Sequence, residues 1–430
     1  MVEIFAPAKG KHVRWRFGVA AALLLLTSVL HAQVGVLDDL IINAPFAPVP
    51  LAPEGWRLRV LADLPGNPVR LASDGKGTSI YILIENGDVW RMDLRTRDMR
   101  RLIEAKEYNL ERASWLRAQG IFLDAQNRLY VVMNGKESDV VPQMLRVTIY
   151  RTTSVRDGLP AEPKAWFRAI YPYGVGVFDH GASNIATGPD GFLYVSNGSR
   201  TDHGERGDEP HRSHDGEVEL TACIWRLDPN SDRPIPEIYA RGIRNAWGFC
   251  WDENGRMMVT ENGPNADAPE ELNFVERAKH YGFPYQFSDA REKYYPDQLD
   301  APKNLKMELP IVNLGPAGVS TTEEALSTLE PHSSPSGVVY LGKEFPVKDH
   351  GTFLVARFGN LIGTKDVGYD VLQVRPMGVK DGRETARVTT FLKPISRPLD
   401  VHISGGKVYV VEFEGCWALP ARLIELRPIH

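Results

Sequence analysis

An all-β fold, a six-bladed β-propeller with long inserted loops, is predicted by three features of the sequence. One unit recurs six times: an apolar stretch, a turn containing Asp, Asn or Gly, then alternating residues of high β propensity. Several copies run on into a further strand-like segment, so that each unit supplies about four strands, the content of a propeller blade. Helical signals are scarce, with "TTEEALSTL" from Thr321 the best candidate.

In chain order the copies are "VRLASDGKGTSIYILIENGDVWRMD" from Val69, "GIFLDAQNRLYVVMN" from Gly120 and "NIATGPDGFLYVSNG" from Asn184. They continue with "GFCWDENGRMMVTENG" from Gly248, "GVVYLGKEFPVKDHGTFLVARFGN" from Gly337 and "LDVHISGGKVYVVEF" from Leu399. The further strands read "VWRMD", "IWRLD", "DVLQVRP" and "RLIELRP". Uneven spacing places insertions around Arg200 to Val218 and Pro264 to Pro331, and loops of that length are commonly functional. A β-sandwich lacks this recurrence of turn and strand along the whole chain.

The chain has 430 residues, 43% hydrophobic and 24% charged, enough for one large domain with a substantial core. A net charge of -5 gives no electrostatic reason to expect a nucleic-acid or anionic-membrane partner, so a small neutral ligand is the expectation. Lys9, Lys11, Arg14 and Arg16 precede the apolar run Val19 to Leu30 and then "HAQ", the layout of a secretory signal peptide. Residues 1–32 are therefore assigned to a signal peptide and residues 33–430 to a single propeller domain whose blades start near residue 51. The apolar run is shorter than the roughly 20 residues a spanning helix needs, and no later segment looks membrane-spanning. A periplasmic or secreted location follows.

Export permits disulfides, and of Cys223, Cys250 and Cys416 the pair expected to bridge is Cys223 with Cys250, which fall in consecutive strand-like segments. No C-x-x-C, G-x-G-x-x-G, Walker or G-x-S-x-G motif is present, so haem attachment, nicotinamide cofactors, nucleotide hydrolysis and serine-hydrolase chemistry have no support.

Propellers carry functional groups around the central channel, on loops and at the starts of inner strands, where Asp179 and His180 fall. A histidine there can serve as general base, and a nearby carboxylate can orient it. "TDHGERGDEPHRSHDGE", with His203, His211 and His214, has the composition of a metal site but no spacing that fixes a geometry, and reads as a solvated insertion. Trp247 and Trp251 read as blade packing.

"DHGASNIATGPDGFLYVSNG" from Asp179 and "RGIRNAWGFCWDENGRMMVTENGPNADAPEELNFVERAKHYGFPY" from Arg241 together resemble the soluble quinoprotein glucose/sorbosone dehydrogenase family. The similarity runs from about Leu51 to the C-terminus and is densest from Asp179 to Tyr285. The resemblance implies pyrroloquinoline quinone (PQQ) and calcium as cofactors, a sugar or related aldehyde or alcohol as substrate, and an external electron acceptor. It implies His180 as general base, Asp179 as the acid beside it, and Arg244 with Asn245 at the reactive edge of the cofactor. Gly263 and Pro264 match positions whose carbonyls hold calcium.

Departures accompany the resemblance. Gly181, Ala182 and Ser183 stand where the family has a glycine pair, and "SRPLDV" keeps Arg397 but has Leu399 in place of a second arginine. The lysine expected in the fifth blade is not evident, and Arg357 is the candidate substitute. His332 resembles a histidine of the sorbosone-type branch. A calcium-dependent lactonase and a non-catalytic propeller that binds carbohydrate or protein remain the alternatives.

Overall fold

The computed structural model describes residues 50–429 apart from 109–114, 138–139, 176–179, 208–215, 291, 320–328, 362–365 and 414–420. The segment 1–32 expected to be a signal peptide and residues 321–328 of the helix candidate lie outside the described residues. The strands form six sheets, each repeat of the sequence supplying the first two strands of one.

Blade 1 comprises Pro68–Ser73, Ser79–Ile84, Val89–Asp93 and Met99–Ile103, and blade 2 comprises Trp115–Leu123, Leu129–Glu137, Met144–Arg156 and Leu159–Pro172. Blade 3 is built from Ala182–Thr187, Leu193–Asn197, Cys223–Leu227 and Glu237–Arg241, and blade 4 from Ala246–Trp251, Met257–Glu261 and Glu271–Val275. Blade 5 uses Pro335–Leu341, Thr352–Arg357, Asp370–Lys380 and Arg383–Leu392, and blade 6 uses Pro398–Ser404, Lys407–Glu412 and Arg422–Pro428. The N-terminal strand Trp56–Asp63 pairs antiparallel with Arg422–Pro428 and completes blade 6, so both ends of the chain build one sheet.

The second strand of each repeat has an apolar centre because both of its faces are covered. In blade 2, Leu129 and Val131 pack against blade 1 while Tyr130 packs against blade 3. In blade 3, Leu193 and Val195 face blade 2 while Tyr194 faces blade 4. One apolar cluster fills each of the six seams between blades. The turns between first and second strands are held by an Asp carboxylate: Asp124 accepts from the N–H groups of Gln126 and Arg128, and Asp252 from those of Asn254 and Arg256.

The first strand of every blade lies innermost, each beside the next around a closed ring. All six shift register just after they start, at Pro68/Arg70, Ala118/Gly120, Ala182/Ile185, Ala246/Gly248, Pro335/Val338 and Pro398/Asp400. A bulge bends the strand and re-aims the side chains beside it.

At the same level a side chain bonds across every seam. Asn134 donates to the Ala182 carbonyl, Ser183 to Ala246, Thr260 to Ser336, Ser336 to Pro398 and Arg70 to Gln119, while Asp400 accepts from Leu71 N–H. Arg70 also reaches from blade 1 to the Trp247 carbonyl of blade 4 at 2.8 Å and pairs with Asp400 at 3.4 Å, spanning the axis. The backbones approach closely enough to require glycine: a Cβ on Gly120 would sit 2.2 Å from Ser183 O, and one on Gly248 2.4 Å from Ser336 O.

Three expectations are corrected. Cys223 and Cys250 are both free. Cys223 packs in the seam between blades 2 and 3, with its thiol on the Leu220 carbonyl, whereas Cys250 packs toward the seam between blades 4 and 5, so the strands turn the two sulfurs away from each other. Blade 4 has three strands among the described residues instead of four, and Val312–Pro316 instead joins blade 5, parallel to Arg383–Leu392. The stretch Pro264 to Pro331 is therefore not a simple loop, since it contributes Glu271–Val275 and Val312–Pro316 to two blades. No helix among the described residues is long and apolar enough to cross a membrane.

Candidate functional site

His180, Arg244 and Arg397 each directly precede, or stand one residue before, the innermost strand of blades 3, 4 and 6, so the fold brings them to one end of the ring. Asp179 lies outside the described residues.

The half-buried ring of His180 has its Nδ1 3.4 Å from the carbonyl of Ser199 and 3.3 Å from its Oγ. The Ser199 hydroxyl proton is already donated to Thr201 O at 2.7 Å, and a carbonyl only accepts. Both neighbours therefore accept, which assigns the proton to Nδ1 and leaves Nε2 as the basic nitrogen. Nε2 makes no hydrogen bond among the described residues. Burial, then the Arg244 guanidinium, lower the pKa of His180 from 6.5 to about 3, against smaller opposing effects of Ser199 and Asp202. Gly198 makes room for the ring, because a Cβ there would stand 2.4 Å from His180 Cβ.

Arg244 is buried and closely tethered. Its Nε donates to Asp202 O at 2.8 Å, Nη1 to Asn262 O at 3.2 Å and Gly263 O at 2.5 Å, and Nη2 to Asp202 Oδ1 at 2.7 Å. Of the five protons a guanidinium offers, one on Nη2 is left for a ligand. Its backbone N–H donates to Glu261 Oε1 at 2.6 Å. Glu261 and Glu271 share the Asn273 amide at 3.1 and 3.0 Å, and burial pushes both carboxyls up, Glu271 to about 7. The neighbouring Asn245 is buried, and its side-chain amide makes no hydrogen bond among the described residues.

Arg397 is the opposite of Arg244. It is buried, its Nη1 and Nη2 share the Asn360 carbonyl at 3.3 Å each, and its Nε has no partner. The guanidinium lies between the rings of Phe358, 4.9 Å away, and Tyr369, 5.1 Å away, with no carboxylate in ion-pair reach among the described residues. Its φ of +34° is strained for a non-glycine residue, held by Phe413 N–H on its carbonyl and Glu412 on the preceding N–H.

Arg357 is not brought to this group. It makes a bidentate pair with Asp370 at 2.8 and 2.7 Å and a further bond to Glu330, with its Nη1 beside Gly318 and Leu329. His332 pairs with Asp267 at 2.8 Å. His203 stacks on Tyr295 at 3.7 Å and hydrogen-bonds Asp297, while His211 and His214 lie outside the described residues. Trp251 stacks edge-on with Tyr194 and Phe249 as blade packing, whereas Trp247 lies under Arg70 with its indole N–H unpartnered.

The side chains fit a planar polyanion such as PQQ. Arg397 offers an uncompensated cation with a free N–H between two aromatic rings, and Arg244 and Asn245 offer further donors. At Gly263 and Pro264, whose carbonyls are the expected calcium ligands, the Gly263 carbonyl accepts from Arg244 Nη1 with one of its two lone pairs, and the Gly263 N–H donates to Glu270 Oε2 at 2.6 Å. Among the described residues no group of three or more His, Cys, Asp or Glu is arranged to hold a metal.

Sequence reading missed Ser199, Asp202, Glu261 and Tyr295. Asp202 was in view within "TDHGERG", but nothing in that polar run marks the one carboxylate that turns inward.

The sequence model of the family described as Glucose / Sorbosone dehydrogenase matches residues 124–356. Quinoprotein glucose dehydrogenase B of Acinetobacter calcoaceticus is 25% identical over 126 residues, spanning 25% of this chain and 26% of that protein. The HIPL1 protein of Arabidopsis thaliana is 26% identical over 143 residues, spanning 27% and 20%. The chain thus matches only about a quarter and a fifth of the length of these curated relatives.

Two solved structures share the fold. The PQQ-bound aldose sugar dehydrogenase from Streptomyces coelicolor superposes with a TM-score of 0.58 at 20% identity, covering 87% of this chain and 99% of that one. The apo-form soluble aldose sugar dehydrogenase from Escherichia coli gives 0.59 at 16%, with the same coverage of 87% and 99%. With its six repeats, His180, the Arg244–Asn245 pair and a family match over more than half its length, this chain belongs to the glucose/sorbosone dehydrogenase family.

Proposed function

We propose that the chain is an oxidoreductase that uses PQQ to oxidise an aldose sugar, or a related aldehyde or alcohol, and passes the electrons to an external acceptor. The observation that carries this reading is Arg397: a buried guanidinium with no counter-ion among the described residues, and with an unpartnered Nε, calls for a bound anion. It stands at the same end of the ring as His180, whose free Nε2 is a ready proton acceptor. The PQQ-bound Streptomyces aldose sugar dehydrogenase and the holo pyranose dehydrogenase PQQ domain from Coprinopsis cinerea, which share the fold, add support.

When bound, PQQ supplies a two-electron acceptor for the hydrogen leaving the substrate carbon. This chain's residues do the remainder. Nε2 of His180 takes the proton of the substrate hydroxyl, with Nδ1–H held by Ser199 so that the ring presents the same nitrogen each time. Arg397 would hold an acidic group of the cofactor, and Asn245 and the spare Nη2 proton of Arg244 would supply further hydrogen bonds to it. The low pKa keeps His180 unprotonated at neutral pH, and carboxylates arriving beside Arg244 would offset the repulsion that lowers it. No step is assigned to calcium. Export by residues 1–32 to the periplasm or medium, with Asp179 as the acid beside His180, belongs to the same proposal.

The test is calorimetric titration of the apo-protein with PQQ, beside dye reduction across a panel of aldoses, for wild type and His180→Ala. The expected result is one-to-one binding by both proteins with dye reduction only by wild type. No binding at high micromolar PQQ would overturn the reading.

A further inference from the structure

Two arginines at the site are treated in opposite ways by the fold. Arg397 has no counter-charge among the described residues, whereas Arg244 is paired with a carboxylate that cancels most of its attraction for an anion. A chain selected for affinity alone has no use for that carboxylate. What it supplies is aim: Asp202 takes Nε on its carbonyl at 2.8 Å and Nη2 on Oδ1 at 2.7 Å, two contacts that fix the plane of the guanidinium and the direction of its one spare proton.

Asp202 is itself braced. Its Oδ1 also accepts from Asn265 N–H at 3.0 Å, and its Oδ2 accepts from Tyr295 OH at 2.6 Å and faces His203 Nδ1 at 3.4 Å. Tyr295 comes from the inserted stretch 276–310, and its oxygen in turn accepts from Ala266 N–H at 2.8 Å. Phe283 and Phe287 of the insertion, with Tyr294 and Tyr295 against them, pack in a small cluster on Ala222 and Ala268. The insertion docks on the Asp202 loop through the stack of His203 on Tyr295, with ring planes 6° apart, and through Gly204, where a Cβ would meet Pro284 at 2.8 Å.

We propose that Asp202 is the positioning residue for Arg244, and that the inserted stretch, acting through Tyr295, is the brace that holds Asp202 in place. The proposal rests on the oxidoreductase reading for its effect on turnover. It does not rest on it for its effect on Arg244.

Three variants test it: Asp202→Asn, which keeps the Oδ1 acceptor, Asp202→Ala, which removes it, and Tyr295→Phe, which removes only the brace. Misplacement of a catalytic group by about 1 Å costs on the order of a hundredfold. Asp202→Ala loaded with PQQ should therefore lose roughly a hundredfold in kcat, with PQQ affinity equal to or tighter than wild type because a negative charge has gone. Asp202→Asn should recover most of that kcat, and Tyr295→Phe should fall between. A role in folding alone would weaken PQQ binding and leave kcat of the loaded fraction unchanged, and that pattern would overturn the proposal.

The second readout needs no cofactor. Hydrogen exchange of the Arg244 Nε–H, followed by NMR in the apo chain, should be at least about tenfold faster in Tyr295→Phe than in wild type as the local opening becomes easier. An unchanged rate would overturn the brace. If wild type binds no PQQ, the oxidoreductase reading falls, and the exchange measurement alone decides the role of Asp202 and Tyr295.

Discussion

Replacing Arg397 by methionine should stabilise the ligand-free chain while weakening its hold on PQQ. Burying an unpaired ion costs several kcal/mol even after relaxation, and the unpartnered Nε adds about 1–3 kcal/mol. Against this stand two long bonds to one Asn360 carbonyl, about 1 kcal/mol together, and two aromatic faces at 4.9 and 5.1 Å, about 1–2 kcal/mol each. The balance is unfavourable by about 2 kcal/mol. Methionine is of similar length and packs well on Phe358 and Tyr369. Urea denaturation of the apo-protein should show unfolding free energy raised by about 1–2 kcal/mol. Calorimetry should show PQQ bound about 10- to 100-fold more weakly, the value of one charge-assisted bond. A variant that is less stable by more than about 1 kcal/mol, or that binds PQQ as wild type does, would refute the argument that Arg397 is a cation kept waiting for an anion.

Three further outcomes follow from the geometry. Gly198→Ala would put a Cβ 2.4 Å from His180 Cβ and push the imidazole aside, so dye reduction should fall on the order of a hundredfold with PQQ affinity retained; wild-type turnover would remove His180 as the base. The His180 pKa is depressed from 6.5 to about 3, so the unfolded chain takes up a proton that the folded chain refuses, and stability is lost as pH falls through that window. His180→Gln should therefore lose less stability than wild type between pH 7 and pH 4, by about 3 kcal/mol at most, and an NMR titration in which the ring protonates near pH 6.5 would contradict the burial argument. Asp370→Asn breaks the buried pair with Arg357 and should cost about 3 kcal/mol of stability without changing PQQ affinity; the reverse pattern would make Arg357 a cofactor ligand.

The blades were legible because each repeat carries its own signature. Ser79–Ile84, Leu129–Glu137 and Lys407–Glu412 are covered on both faces and so carry the apolar runs 80–84, 129–133 and 408–411 after an Asp or Gly turn. The closing strand Trp56–Asp63 was not legible, since it is half exposed and its partner lies more than 350 residues away. Blade 4 misled for a related reason: Val312–Pro316 is strand-like, but only long-range packing decides that it runs beside blade 5.

At the site, His180, Arg244 and Arg397 could be found because residues at the starts of inner strands point to the channel mouth. Ser199 and Asp202 could not, because each acts by a contact with a residue 19 or 42 positions away, which no local pattern encodes. The expected cysteine bridge failed because Cys223–Leu227 and Ala246–Trp251 belong to different blades and carry their sulfurs into different seams, which nearness in sequence does not encode.

The pairing of Trp56–Asp63 with Arg422–Pro428 also sets a schedule for synthesis. The strand that seals the ring is made more than 350 residues before its partner. At about 5–20 residues per second, it waits roughly twenty seconds to over a minute as a lone edge, the kind of segment that recruits strands from other molecules. Arg57 and Arg59 are exposed on that strand, with Asp63 at its end, and charges so placed discourage such pairing during the wait. Only when Arg422–Pro428 has been made does the ring become continuous, so the anion-binding end and its arginines acquire their final spacing when blade 6 closes rather than blade by blade.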